Sequence, residues 1–129
     1  MQKLFLVSII ISSLSACKKE NTSPQQLIIG KWTMLSASAD TFKNNTLTGS
    51  GTEQFEASDF AEFRSDGSVT SVSHRTRMTN NYSVLGDTLF FDSGGKAKIK
   101  TLTKNTLTYY FTKVINTSYW IINTFYIKK

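Results

Sequence analysis

One cysteine and one histidine in 129 residues rule out a good deal of chemistry. Cys17 has no second thiol to pair with, so no disulfide can form within the chain. Cys17 and His74 together make neither a metal cage nor a marked Cys-His nucleophile pair. A serine triad through His74 lacks any motif that would place its partners, and no glycine-rich phosphate loop leads from a strand into a helix. The carboxylates Glu53, Glu56, Asp59 and Glu62 could in principle form a glycosidase pair, but so short a chain leaves little room for a substrate cleft. The chain therefore reads as a non-enzyme that needs no cofactor and no metal. No long segment keeps a helical period.

A membrane-spanning run is also missing. The apolar stretch Leu4-Phe5-Leu6-Val7-Ser8-Ile9-Ile10-Ile11 follows Lys3 and leads into Leu14-Ser15-Ala16-Cys17. As a helix, Leu4 to Ala16 would reach only about 20 Å at roughly 1.5 Å per residue, short of the roughly 30 Å hydrocarbon core of a bilayer. Charge, apolar run, small residues and then a cysteine is the order of an export signal ending at a nucleophile. Leu-Ser-Ala-Cys resembles the lipobox of bacterial lipoproteins. That resemblance implies that residues 1–16 are a signal peptide and that Cys17 is the lipid-attachment residue. The expected address is the bacterial cell envelope, lipid-anchored, at the outer membrane. An ordinary secretory signal with a chance cysteine is the alternative. Two or three acyl chains, at about 0.8 kcal/mol per buried methylene, anchor a protein stably. Residues 17–26 then form the lipidated cysteine and a polar tether, and residues 27–129 the globular domain.

Of 15 Lys+Arg and 9 Asp+Glu, signal cleavage removes Lys3 alone, which takes the net charge from +6 to +5. A basic surface suits anionic partners. Export to an envelope argues against nucleic acid and leaves lipid headgroups, acidic glycans or colloidal solubility. About 100 residues form one domain with one core.

Within that domain, segments rich in Thr, Val, Ile, Tyr and Phe alternate with Gly, Asn, Asp and Ser clusters about every ten residues, the pattern of an all-β sandwich or barrel. Strands are expected at Lys31–Ala39, Phe60–Arg64, Val69–Thr79, Tyr82–Leu85, Thr88–Phe91, Lys96–Leu102, Thr106–Ile115 and Ser118–Ile127, with a long loop near residues 40–58. Asp66-Gly67 is the clearest hairpin turn, because both residues tolerate positive φ. Asn80-Asn81, Gly86-Asp87, Ser93-Gly94-Gly95 and Lys104-Asn105 repeat the device. Short turns force sequential antiparallel neighbours, and closing such a meander removes exposed edges. The expected fold is thus an antiparallel up-and-down meander of seven or eight strands, closed into a barrel. Lys96, Lys98 and Lys100 fall on one face of their strand, with Ala97, Ile99 and Thr101 on the other.

Ile28-Ile29-Gly30-Lys31-Trp32, entering the first strand, is similar to the Gly-x-Trp opening of lipocalins. The stretch from Phe60 through Asp66-Gly67 to Val69 is similar to a hairpin of small bacterial lipocalin-like lipoproteins. Leu85-Gly86-Asp87-Thr88-Leu89 and Lys104-Asn105-Thr106-Leu107-Thr108 resemble two further hairpins of that group. The resemblance implies a lipocalin-like barrel and a small hydrophobic ligand. In lipocalins the tryptophan packs across the closed end, often beneath a late arginine. No arginine follows Arg77 here, so Lys113 or Lys128 would take that place.

Barrels of about eight strands are either filled by side chains or hold one small ligand. If a cavity exists, its expected lining is Trp32, Met34, Phe63, Tyr82, Leu89, Phe91, Tyr109 and Phe111, with Trp120 and Tyr126 nearby. The same side chains would serve equally as ordinary core. Arg75 and Arg77, alternating with His74 and Thr76 on a strand, form a candidate anion grip, or else a solvated strand face. The lysine row likewise reads as an anionic-partner patch or as edge protection. Two functions follow: a lipid-anchored carrier with an internal cavity, or a solid envelope module that contacts a protein, glycan or membrane surface.

Overall fold

A computed structural model describes residues 22–116 and 118–128. The signal peptide and Cys17 lie outside the described residues. One helical turn, α1 (Pro24–Leu27), precedes nine strands: β1 (Gly30–Lys43), β2 (Thr46–Gln54), β3 (Phe60–Phe63), β4 (Ser68–Ser73), β5 (Thr76–Leu85), β6 (Thr88–Phe91), β7 (Lys96–Leu102), β8 (Thr106–Ile115) and β9 (Ser118–Lys128). Every pairing is antiparallel. The order runs β2-β1-β3-β4-β5-β6-β7-β8-β9, and β9 returns to pair with β1. The expected all-β meander is what forms. Eight strands make the curled barrel, and β2 is an added hairpin partner.

β1 organises the shape by changing partners along its length. Its lower residues Gly30–Thr33 pair with β3, and its upper residues Ser36–Lys43 pair with β2. Along its other side β9 pairs from Trp32 to Lys43, with a bulge between Met34 and Ser36. At roughly 3.3 Å per residue β1 is more than three times as long as β6. The wall is consequently tall at β1, β8 and β9 and low at β6 and β7, which leaves one end of the barrel open.

The lower end is filled. Ile28, Trp32, Phe63, Leu89 and Leu107 are each at most 2% exposed. The Trp32 indole Nε1 donates to the Ile28 carbonyl at 2.7 Å, so the ring satisfies its one polar group while lying in the core. Phe63 meets Tyr82 edge to face at 4.9 Å, and the Tyr82 hydroxyl donates to the Arg64 carbonyl at 2.9 Å. Trp32 thus plugs the closed end. Lys113 does not stand beside it: it is exposed in the upper part of β8, at the other end of the barrel. Lys128 is in backbone register with Trp32 on β9.

Four local expectations change. The polar segment before Leu27 is not wholly a tether. Ser23 and Gln26 form a capping box around α1, and the Gln25 side chain accepts from the Val84 amide at 2.9 Å, so the folded domain begins at Ser23. The span expected as a loop at 40–58 holds the β1–β2 hairpin, turned by Asn44 and Asn45 at φ 51° and 63°. Val69–Thr79 is two strands, because the chain turns at His74 and Arg75, both at positive φ, and Asn80-Asn81 continues β5. In β7 a bulge between Ile99 and Thr101 leaves Thr101 exposed and turns Leu102 toward the core.

Two turn carboxylates add pH dependence. Asp66 Oδ1 accepts from the Ser68 hydroxyl at 2.7 Å and the Ser68 amide at 2.8 Å, bonds that hold its carboxyl below the ordinary 3.8. The Lys98 ammonium, 2.6 Å from Asp87, and the Thr88 hydroxyl do the same for Asp87. A carboxyl depressed in the folded state stabilises above its unfolded pKa, and that contribution is lost as pH falls through the folded one. Stability should therefore stay level down to about pH 5 and decline below about pH 4. An NMR titration should place both carboxyls below free aspartate, and Ser68→Ala should move Asp66 upward while leaving Asp87 unchanged.

Candidate functional site

Above the Trp32 plug the strands diverge around a cavity of about 240 Å³. Its apolar wall is Met34 from β1, Ala61 and Phe63 from β3, Val69 from β4, Phe91 from β6, and Tyr109 and Phe111 from β8. Alternation explains the set. Register pairs Phe63 with Val69 and Val69 with Asn80, so these three share the inner face. The aromatic wall is organised by ring contacts, with Phe91 and Phe111 centroids 5.9 Å apart and Tyr109 edge-on to Phe111 at 5.6 Å. At Gly95 an added Cβ would lie 3.8 Å from both Phe91 and Phe111, so glycine there widens the mouth without being required by its backbone.

The upper rim is polar: Ser71, Ser73, Asn80 and Ser93 join Gly95 in the lining. None of the described lining side chains carries a charge. The cavity thus has an apolar floor and neutral hydrogen-bonding groups at its outer end.

Of the residues expected to line a cavity, Met34, Phe63, Phe91, Tyr109 and Phe111 do so. Trp32, Tyr82 and Leu89 lie beneath it in the packed core. The side chains of Trp120 and Tyr126 lie outside the described set. The rim serines and Asn80 were not legible as site residues from their aromatic content, since they have none. The period-two pattern Val69, Ser71, Ser73 places them on one strand face with Val69.

Arg75 and Arg77 are not brought together as a strand-face grip. Arg75 is a turn residue at φ 66°, which breaks the alternation that would have aligned the two. Arg77 is in register with Val72, one residue out of phase with the pocket residue Ser71, so it belongs to the outer face. Three of the four carboxylates have structural partners among the described residues. Glu53 pairs with His74 Nε2 at 2.9 Å, Glu62 pairs with Arg64, and buried Asp59 accepts from the His74 amide at 3.1 Å and the Glu56 amide at 3.0 Å. Glu56 enters this set through that amide, which leaves its own carboxylate uninvolved.

A wider groove of about 310 Å³ lies on the outer face of β6–β8, between Phe90, Lys96, Lys98 and Tyr110. It is larger than the inner cavity, but one of its two lysines is already tied to Asp87. The inner cavity has an aromatic, uncharged described lining above a filled floor, so it is the better candidate site.

No family model matches the chain, and no curated protein matches it closely enough to count. The geometry has to carry the functional reading.

Proposed function

We propose that this chain is a lipocalin-like, non-catalytic lipoprotein of the bacterial cell envelope, held at the outer membrane by acyl chains on Cys17, that carries a small hydrophobic ligand in the open half of its barrel. The observation that carries the reading is the uncharged, aromatic-walled cavity above the Trp32 plug. The chain enters the barrel at its closed end through α1, while the mouth lies at the other end. Five residues separate Cys17 from Ser23, a reach of at most about 20 Å over the six steps. An acyl anchor would therefore hold the plugged end near the bilayer and leave the mouth directed away from it.

Native mass spectrometry on residues 17–129 carrying Cys17→Ser, after exposure to an envelope extract, tests the carrier reading. A stoichiometric adduct that is lost on denaturation is expected. Ser71→Phe, which projects a ring into the cavity from a strand position that favours aromatics, should reduce that adduct at least tenfold. A bare mass across all extracts would sink the carrier reading. The outer groove would then favour the alternative of a surface module, in which Lys96 contacts an anionic glycan or headgroup. The anchor is tested separately: wild-type cells fed a labelled fatty acid should label the protein, and Cys17→Ser should abolish the label.

A further inference from the structure

The size and the polarity of the cavity restrict what it can hold beyond a general preference for apolar molecules. We infer that its ligand is a compact, uncharged molecule, a flat apolar body of about ten heavy atoms bearing one hydroxyl or amide at its outer end, and not a long-chain fatty acid. The inference rests on the carrier reading above and narrows it.

Volume sets the size of the body that the walls can enclose. A dry cavity of about 150 Å³ accepts benzene, so 240 Å³ corresponds to two fused rings rather than to an extended acyl chain. The floor admits no extension, because Phe63 is 2% exposed and Trp32 beneath it is fully buried. The wall then favours flat over flexible bodies: Phe63, Phe91, Tyr109 and Phe111 offer ring faces and edges on two sides.

Charge sets the second bound. A carboxylate drawn into an apolar site without a partner is strongly disfavoured, and the described lining supplies no cation. Arg77 lies on the outer face, and His74, at the turn above, is already paired with Glu53. The remaining wall strand cannot make up the lack, since residues 118–127 contain no Asp, Glu, Lys or Arg.

The polar rim says what does fit. Ser71, Ser73, Asn80 and Ser93 offer hydroxyls and an amide that both donate and accept. None of these four side chains makes a hydrogen bond within the described residues. A neutral hydroxyl or amide on the ligand's outer end would satisfy such groups without a buried charge.

Titration calorimetry of residues 17–129 carrying Cys17→Ser at pH 7 tests this with four probes: 2-naphthol, naphthalene, 2-naphthoate and hexadecanoate. The expected result is one-to-one binding of 2-naphthol, at least tenfold tighter than either acid. Asn80→Leu should weaken 2-naphthol severalfold while leaving naphthalene binding unchanged. Ser71→Phe and, independently, Gly95→Val should block both neutral probes. If either acid binds as tightly as 2-naphthol, this inference is overturned while the carrier reading stands. If none of the probes binds, this inference is overturned, and if native mass spectrometry also returns a bare protein, the carrier reading falls with it.

Discussion

Replacing Trp32 with alanine should cost about 3–5 kcal/mol of folding stability, the largest loss expected from any single side chain in this barrel. Trp32 is the bulkiest fully buried residue and closes the end that α1 approaches. Truncation removes the ring from between β3 and β9, whose Ala61 and Lys128 flank it in register. Alanine at position 61 is too small to move into the void, so the cavity would persist. The Ile28 carbonyl, which accepts the indole N–H at 2.7 Å, would lose that partner in a buried setting. For a domain whose whole stability is on the order of 5–15 kcal/mol, the urea midpoint should fall by about a fifth or more. Trp32→Phe separates the two contributions, since it keeps most of the packing and removes only the donor, at about 1–2 kcal/mol. A midpoint for Trp32→Ala within 1 kcal/mol of wild type, at unchanged denaturant slope, would contradict the plug.

Much of this architecture was legible because its causes are local. Asp66-Gly67 and Gly86-Asp87 carry turn chemistry in their own side chains and backbones, so the hairpins they close fall where the residues put them. Met34, Phe63, Phe91, Tyr109 and Phe111 lie on alternating apolar positions, so their inward placement follows from period two. What was not legible depends on distant partners. Gly49 and Gly51 look like loop punctuation, yet both are paired with β1, because Asn44-Asn45 turns the chain back early enough for β2 to form. The bulge at Lys100 leaves no mark in a Lys-x-Lys-x-Lys pattern that continues straight through it. The cavity's polar rim was hidden for a different reason. Serine and asparagine in a β-rich chain read as turn or solvent residues, and only their register against Val69 and Ala61 brings Ser71 and Asn80 inside.

The turn at His74-Arg75 is the clearest case of a distant cause, and it yields the second large effect. Neither residue is glycine, yet they stand at 48° and 66°, a conformation that costs roughly 1–2 kcal/mol per non-glycine residue. Asp59, 15 residues earlier and 1% exposed, supplies the compensation: Oδ1 accepts the His74 amide at 3.1 Å and Oδ2 accepts the Glu56 amide at 3.0 Å. Its backbone carbonyl also accepts from Met34, which ties the turn to the strand under the pocket. Asp59→Ala should therefore cost about 2–4 kcal/mol, from two amides left without their acceptor at roughly 1–3 kcal/mol each, less some rescue by water. Asp59→Asn keeps one acceptor oxygen and should fall between the two. If the loss arises from the turn, relieving the turn should restore it. Installing His74→Asn and Arg75→Gly beside Asp59→Ala creates the residue pair that adopts this geometry unaided, and should recover about 1–2 kcal/mol in urea denaturation. Recovery would place the work of Asp59 at the turn. A double substitution that restores nothing would place it instead at the Glu56 amide and the β2–β3 connection. Because Ser73 ends β4 beside this turn and lines the cavity rim, Asp59→Ala should also weaken ligand capture in the fraction that remains folded, and the repaired triple variant should regain it.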